Sequence, residues 1–488
     1  MRIMDTAVDV GALKAQVARN CLVVDAHRWG NFSLCGLLLR LRELYKREAG
    51  LEPWARVETA AVLPWVGERE AAWAQLEETD PAPLHIGGVT LDPLDEDGVT
   101  RLLVPAGWLY VAGQGPGGYP LFVLGEILEH RALDGGVELF VLGRELAHDL
   151  VPVPAMCRPG RIVARRAAVR GHLWATLEEA AGAREPGPMT DALADVGAIL
   201  GAVVGDPEGH ITLLEDLAER QIAVAVAHEL GELAEDRRRR GAWEALLLRA
   251  RGTRAEMPAR ALKDALADAG DDGLFQTLIA RRDRVGLALR AAAGPWLLRK
   301  ILPDARAIGE AARAGRWEDA EALRRAAAER LELKLDGLFS LFDGDPPHTE
   351  AARRAEQFES LLLHPQSQLR LAAGGQRDHP HGVHATPVPE IQQLVDAPSY
   401  RTLGEIHDLH FAVLEDYLGP VHLDPTFGYL EPELRTAGVA VESKLRPVVL
   451  VVERLAVLPH ETVARVAAIV SAAVPFNDHH PAAEDDRR

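Results

Sequence analysis

The amino-acid sequence predicts an α+β protein that is predominantly helical, with N-terminal helices and a small β-sheet, a central helical array, and an added small α/β C-terminal segment. Three observations predict it. Leucines recur at three- and four-residue steps between Leu34 and Leu44; short apolar runs bounded by Gly and Pro occupy the stretch from His85 to Leu142; and an Ala-, Leu-, Arg- and Glu-rich stretch with helical periodicity runs from 160 to about Ala373.

The first region, 1–159, begins helically. Leu34, Leu37, Leu38, Leu41 and Leu44 mark a core face, with Arg40, Arg42, Glu43, Lys46 and Arg47 between them, and Gly50 ends that helix. Pro53-Trp54 then turns the chain toward a second helix carrying Trp65 and Trp73. Trp108–Ala112, Tyr119–Leu124 and Val137–Leu142 read as strands of a small sheet. The loop Gly113-Gln-Gly-Pro-Gly-Gly118 between the first two superficially matches a dinucleotide fingerprint, but a strand rather than a helix follows it, so a tight hairpin is expected. Leu102 to Gly125 carries no charge, yet its prolines and glycines would leave backbone groups unpaired in lipid, so the segment reads as buried strands and a loop.

The second region, 160–373, is broken into helices at Pro186-Gly187-Pro188, Pro207, Gly252, Pro258, Gly294-Pro295, Pro303 and Gly315. Ala314–Leu323 looks like half of a tetratricopeptide-type unit, but no second copy occurs at a period of about 34 residues. A His/Pro/Gly-rich linker is expected over 374–398, a small domain over 399–480 and a disordered tail over 481–488. Eleven of the 18 histidines lie after residue 340, which sets this part apart in composition.

Charge narrows the function classes. Lys and Arg number 54 against 73 Asp and Glu, a net −19 with neutral histidine, which disfavours nucleic acid and anionic membrane surfaces because both need clustered cations. Hydrophobic residues at 48% exclude disorder for most of the chain. Three scattered cysteines, Cys21, Cys35 and Cys157, argue against a disulfide scaffold and for a reducing compartment. Asp5 and Asp9 interrupt the N-terminus where a secretory signal would be apolar, so a soluble cytoplasmic protein is expected.

The most informative chemistry lies in Ile222-Ala-Val-Ala-Val-Ala-His-Glu-Leu-Gly-Glu-Leu233. At about 100° per residue, Leu214, Ala218, Ile222, Ala225 and Leu233 share one arc; Glu229 and Glu232 fall inside it, and His228 lies on its flank. The turn and a half before them is apolar all round, the mark of a helix buried on every side. Carboxylates in such an interior need a metal, a cationic partner or a raised pKa. His-Glu-x-x-Glu is similar to the zincin His-Glu-x-x-His, with Glu232 where the second histidine would stand, a departure that weighs against a zinc protease. The competing reading pairs Glu229 and Glu232 with arginines of Arg237–Arg240 or with Arg281 and Arg282.

Other constellations are weaker. Glu145-Leu-Ala-His148 is an i,i+3 pair of the kind found in di-iron bundles, without matching partners. His407 and His410 share an apolar helical face beside Leu414, with His422 and Asp424 following, and are metal-ligand candidates of zinc or iron type; packed histidines are the plainer reading. His379, His381 and His384 read as a solvated tract. Cys21, Asp25, His27 and Cys35 could supply a thiolate nucleophile, but core packing fits Cys21 better.

The words Asn20-Cys-Leu-Val-Val-Asp-Ala-His27, Leu34-Cys-Gly-Leu-Leu-Leu-Arg-Leu-Arg-Glu-Leu-Tyr-Lys46, Gly50-Leu-Glu-Pro-Trp54, Val141–Ala147 and His228-Glu-Leu-Gly-Glu232 resemble an uncharacterised family of bacterial hypothetical proteins, over roughly residues 15–365. The resemblance implies no activity. It implies one ancestral unit for the first two regions and an addition after about residue 375. It also implies an arginine where His148 stands, which turns attention toward Glu229 and Glu232.

The functional expectation is a metal-dependent enzyme, with water activation and hence hydrolysis favoured. Glu229, Glu232 and His228 would be the catalytic groups, and His228, Glu232, His407 and His410 the ligands of a divalent ion such as zinc or iron. The alternative is a non-catalytic interaction or assembly protein that uses its helical array and acidic surface toward a protein partner or a second copy.

Overall fold

The structure, a computed structural model, describes residues 8–358 apart from 33, 116–117, 252, 254, 343–352 and 355–357. Helices dominate it. The elements run α1 (Val10–Arg28), α2 (Leu34–Glu48), α3 (Thr59–Leu76), β1 (Leu84–Ile86), β2 (Val89–Leu91), α4 (Glu96–Leu103), β3 (Trp108–Gln114), β4 (Pro120–Ala132), β5 (Glu138–His148), β6 (Ala155–Arg158) and β7 (Arg161–Arg165). From there the chain is helical: α5 (Arg166–Gly182), α6 (Pro188–Asp195), α7 (Leu200–Gly205), α8 (Ile211–Arg239), α9 (Ala242–Ala250), α10 (Glu256–Ala269), α11 (Leu274–Ala280), α12 (Arg284–Ala293), α13 (Trp296–Ile301), α14 (Asp304–Arg313) and α15 (Trp317–Leu341). The α+β, mostly helical class is therefore what the chain adopts.

The described residues fall into two compact units. One takes in the chain through Cys21, residues 52–54 and everything from Pro81 onward; the other takes in 22–51 and 55–80. In the smaller unit Leu37, Leu41 and Leu44 are buried along α2, as their spacing requires, and Tyr45 meets Trp65 edge to face. Trp73 is buried there and stacks on Trp29.

The larger unit is built around a five-stranded sheet of order β3-β4-β5-β7-β6. β3, β4 and β5 pair antiparallel, β7 joins β5 in parallel, and β6 closes the edge antiparallel to β7. The expected hairpin is present, with Gly113 and Gly118 at positive φ around the turn. Side chains alternate between the faces. Leu109, Val111, Val123, Phe140, Leu142 and Val163 form one core; Leu139, Val141, Ile162 and Ala164 form part of another with α5, α6, α7 and the first half of α8. A third core joins Val224 of α8 to α9 through α15. α8 thus runs between two apolar cores. The expectation that its middle is buried on every side is corrected at Ala223, which is exposed.

The paired strands β1 and β2 and the helix α4 carry no strong sequence pattern and were not anticipated. α4 starts on Asp95, whose carboxylate caps the Gly98 N–H, and its acids tie it to the sheet through Glu96 to Arg158 and Asp97 to Arg161. Cys21 is buried and its thiol donates to the Phe122 carbonyl, consistent with core packing. Among the described residues no helix is long and apolar enough to cross a membrane. The linker, the 399–480 domain and the tail, with His379, His381, His384, His407, His410, His422 and Asp424, lie outside the described residues.

Candidate functional site

α8 lays His228, Glu229 and Glu232 on the side that meets α10. The two helices approach closely because Gly231 has no side chain: a Cβ there would lie 2.3 Å from the Ala267 carbonyl oxygen. That contact brings Lys263, Asp264 and Asp268 of α10 against the acids of α8. Arg290 enters from α12.

Asp268, only 1% exposed, organises the group. It accepts from Arg290 Nε at 2.8 Å and lies 2.8 Å from His228 Nδ1. His228 Nε2 in turn is 3.3 Å from Glu232 Oε1, and Lys263 Nζ donates to both Glu232 and Asp236 at 3.1 Å. Arg290 Nη2 also lies 3.3 Å from His228 Nδ1; the shorter Asp268 contact assigns the Nδ1 proton to the carboxylate.

These contacts set the charge states. Burial and Arg290 push the His228 pKa down, but the Asp268 and Glu232 carboxylates outweigh them and raise it to about 10. Burial would raise Glu232; His228 and Lys263 overcome it and bring the carboxyl down to about 2. Burial likewise opposes ionisation of Asp268, and Arg290 and His228 hold it below its usual range.

Glu229 and Asp264 differ. Neither makes an ion pair among the described residues. Burial, reinforced by the Glu232 charge, raises the Glu229 carboxyl, and burial raises Asp264 to about 6. Glu229 is 8% exposed, and one ligand atom from each of His228, Glu229 and Glu232 lies within 4.8 Å of the others. The Cys157 thiol on β6 donates to the Glu229 backbone carbonyl at 3.3 Å, and burial beside that carboxylate pushes the thiol pKa up, so Cys157 is no thiolate.

Of the pairings weighed from sequence, the arginine one is corrected. Arg238 and Arg239 pair with Glu235 and Glu332 instead; the cations that reach Glu232 are Lys263 and His228, and Arg290 holds Asp268. A salt bridge to an arginine one turn away needs an i,i+3 or i,i+4 spacing, which Glu235 has and Glu229 lacks. The Glu145/His148 pair is also set aside: Glu145 is held by Arg165 through two hydrogen bonds of 2.8 and 2.6 Å, and His148 Nδ1 faces the Asp149 carbonyl.

Residues 12–165 match the N-terminal domain, and residues 170–360 the C-terminal domain, of a family of unknown function (DUF6866). The chain belongs to this family. The junction between the two DUF6866 domains falls where β7 passes into α5. His228, Glu229, Glu232, Lys263, Asp264, Asp268 and Arg290 all lie in the family's C-terminal domain, whereas His407 and His410 lie beyond both matched stretches. Comparison with curated proteins and with solved structures gives no match.

Lys263, Asp264, Asp268 and Arg290 were missed by sequence reasoning. A signal existed for two of them. Asp264 and Asp268 stand one turn apart among Ala261, Leu262, Ala265, Leu266, Ala267 and Ala269, the same intrusion of acids into an apolar helix that singles out α8.

Proposed function

We propose that this protein is a divalent-metal-dependent enzyme that activates water for hydrolysis, with His228, Glu229 and Glu232 as ligands. The observation that carries this reading is Glu229: a buried carboxylate with no ion pair among the described residues, beside a second carboxylate and an imidazole. A buried carboxylate without a cation is costly, and a bound divalent ion removes that cost. His228 supports it. With its Nδ1–H directed to Asp268, Nε2, which faces Glu232 at 3.3 Å and carries a proton in the metal-free protein, is the nitrogen a metal would take by displacing that proton, the arrangement in which a carboxylate orients a metal-binding histidine. One imidazole and two carboxylates suit zinc or ferrous iron and leave coordination positions for water, whose pKa such an ion lowers. Cys157, which forms no disulfide among the described residues, fits a reducing cytoplasmic setting.

Elemental analysis of tag-free protein purified without added metal tests the proposal. The expected result is near-stoichiometric zinc, iron or manganese, lost in Glu229→Gln, with a lower melting temperature in chelator. Sub-stoichiometric amounts of all three, together with melting unaltered by chelator, would refute it.

A second reading rests on the internal neutralisation of Glu232 and Asp268 by Lys263, His228 and Arg290. In a non-catalytic assembly protein that network would only stiffen the α8–α10–α12 packing. Glu232→Gln would then change stability alone, and native purification would retrieve a stoichiometric protein partner or a second copy.

A further inference from the structure

Resting on the metal-site reading, we infer that the site takes a phosphate ester, whose phosphoryl oxygens are received by Arg290 and Lys263. Side-chain exposure rises from Asp268 at 1% through Lys263 and Arg290 at 14% each to Glu232 at 22%, while His172 of α5, whose ring is close enough to Arg290 to feel its charge, is exposed. The cluster therefore opens toward solvent past its two cations.

Neither cation is used up by its partners. Arg290 spends Nε on Asp268 and sets Nη2 beside His228, and Nη1 makes no hydrogen bond among the described residues. Lys263 donates to Glu232 and Asp236, two bonds for an ammonium with three protons. A divalent ion on His228, Glu229 and Glu232 would share the cluster with the Lys263 ammonium, which holds Glu232, and the Arg290 guanidinium, which holds Asp268. Three positive centres around one opening match the several oxygens of a phosphoryl dianion. A carboxylate monoanion would leave one of them unmatched. The guanidinium also offers the planar donor pair that phosphate oxygens accept.

The reaction balances without a further reactant. The oxygen of the activated water forms a bond to phosphorus as the ester P–O bond breaks. The ester oxygen leaves with the bonding pair and takes up the proton that the water gives up, so the products are an alcohol and inorganic phosphate.

Mn2+ and inorganic phosphate are the probes, used on the full chain. The electron paramagnetic signal of free Mn2+ first reports whether the ion binds, with Glu229→Gln as control. Phosphate is then titrated at saturating Mn2+ and its 31P linewidth followed. Saturable broadening by protein-bound Mn2+ is expected, with phosphate affinity lowered at least tenfold in Arg290→Lys and in Lys263→Gln, each first checked for a cooperative melt. Mn2+ that binds without saturable phosphate broadening overturns the substrate class and leaves the metal reading standing. So does broadening that is equal in wild type and both variants. Mn2+ that fails to bind defeats the metal reading before phosphate is added, and this inference with it.

Discussion

Gly231 of α8 lies against the backbone of Ala267 of α10 so closely that a Cβ at residue 231 would stand 2.3 Å from the Ala267 carbonyl oxygen. A backbone oxygen cannot swing aside as a side chain can, so Gly231→Ala must push the helices apart. Overpacking of this kind costs about 1–3 kcal/mol, and it would also draw Lys263 away from Glu232. The urea midpoint of the variant should fall accordingly; an unchanged midpoint would show that α8 and α10 part freely.

Asp268 holds both Arg290 and His228 from a position closed to solvent. Asp268→Asn keeps the shape and removes the charge, leaving the guanidinium uncompensated. Loss of one partner from a buried pair costs about 3–5 kcal/mol, to be read by chemical denaturation. A loss well under 1 kcal/mol would mean that water already screens the pair.

The His228 pKa, raised to about 10 from an ordinary 6.5, sets a pH window in metal-free protein. A group whose folded pKa is raised stabilises fully below its unfolded pKa, and that contribution is lost as pH rises through the folded value. With chelator present, the melting temperature should fall between about pH 6.5 and 10, more steeply in wild type than in His228→Gln. Parallel curves would contradict the assignment. Glu232, lowered to about 2, acts in the opposite sense: its contribution is present above its ordinary 4.5 and is lost as pH falls through 2.

Asp264 is an ionised carboxylate that the metal-free fold disfavours, since burial raises it to about 6 from 3.8. The penalty is absent below the unfolded pKa and complete above the folded one. Asp264→Asn should therefore be more stable than wild type at pH 7–8 in chelator, by on the order of 1–3 kcal/mol, and gain nothing near pH 3.5. A gain of equal size at both pH values would place its origin in packing rather than charge.

The sheet has its own buried pair in Arg165 and Glu145, both essentially closed to water. Arg165→Met should cost about 3–5 kcal/mol, and adding Glu145→Leu should restore part of that loss, because the Glu145 carboxylate is then no longer buried without its guanidinium, although the buried Asp149 beside Arg165 remains. Thermal melts of the two single variants and the double variant measure the coupling directly.

Much of the helical architecture was legible because its signals are local. Leu37, Leu41 and Leu44 mark a buried face by spacing alone, and the Gly-rich hairpin after Trp108–Ala112 follows from glycines that reach positive φ where other residues resist it. The paired strands β1 and β2, at three residues each, are too short to carry a period, and α4 is eight residues long, so neither stood out. In the site, His228, Glu229 and Glu232 were visible as polar residues on an apolar arc.

Their partners were not. Lys263 and Asp268 lie 31 and 40 residues from the α8 groups they bind and Arg290 lies 22 from Asp268, and nothing in helical periodicity says which face of α10 or α12 will meet α8. Closeness in sequence points to the arginines at the end of α8, yet Arg238 and Arg239 face Glu235 and Glu332.

The sequence by itself determined that helices dominate, that a small sheet interrupts them, and that two carboxylates and a histidine enter an apolar stretch of α8. Only the tertiary structure decided which of the acids are paired among the described residues and which, Glu229 and Asp264, are not. That choice depends on how closely two helices approach at Gly231. An ion pair needs its two charges within a few ångströms, and which side chains come that close is set by helix packing rather than by spacing along the chain, so Glu229 and Asp264 make no ion pair among the described residues.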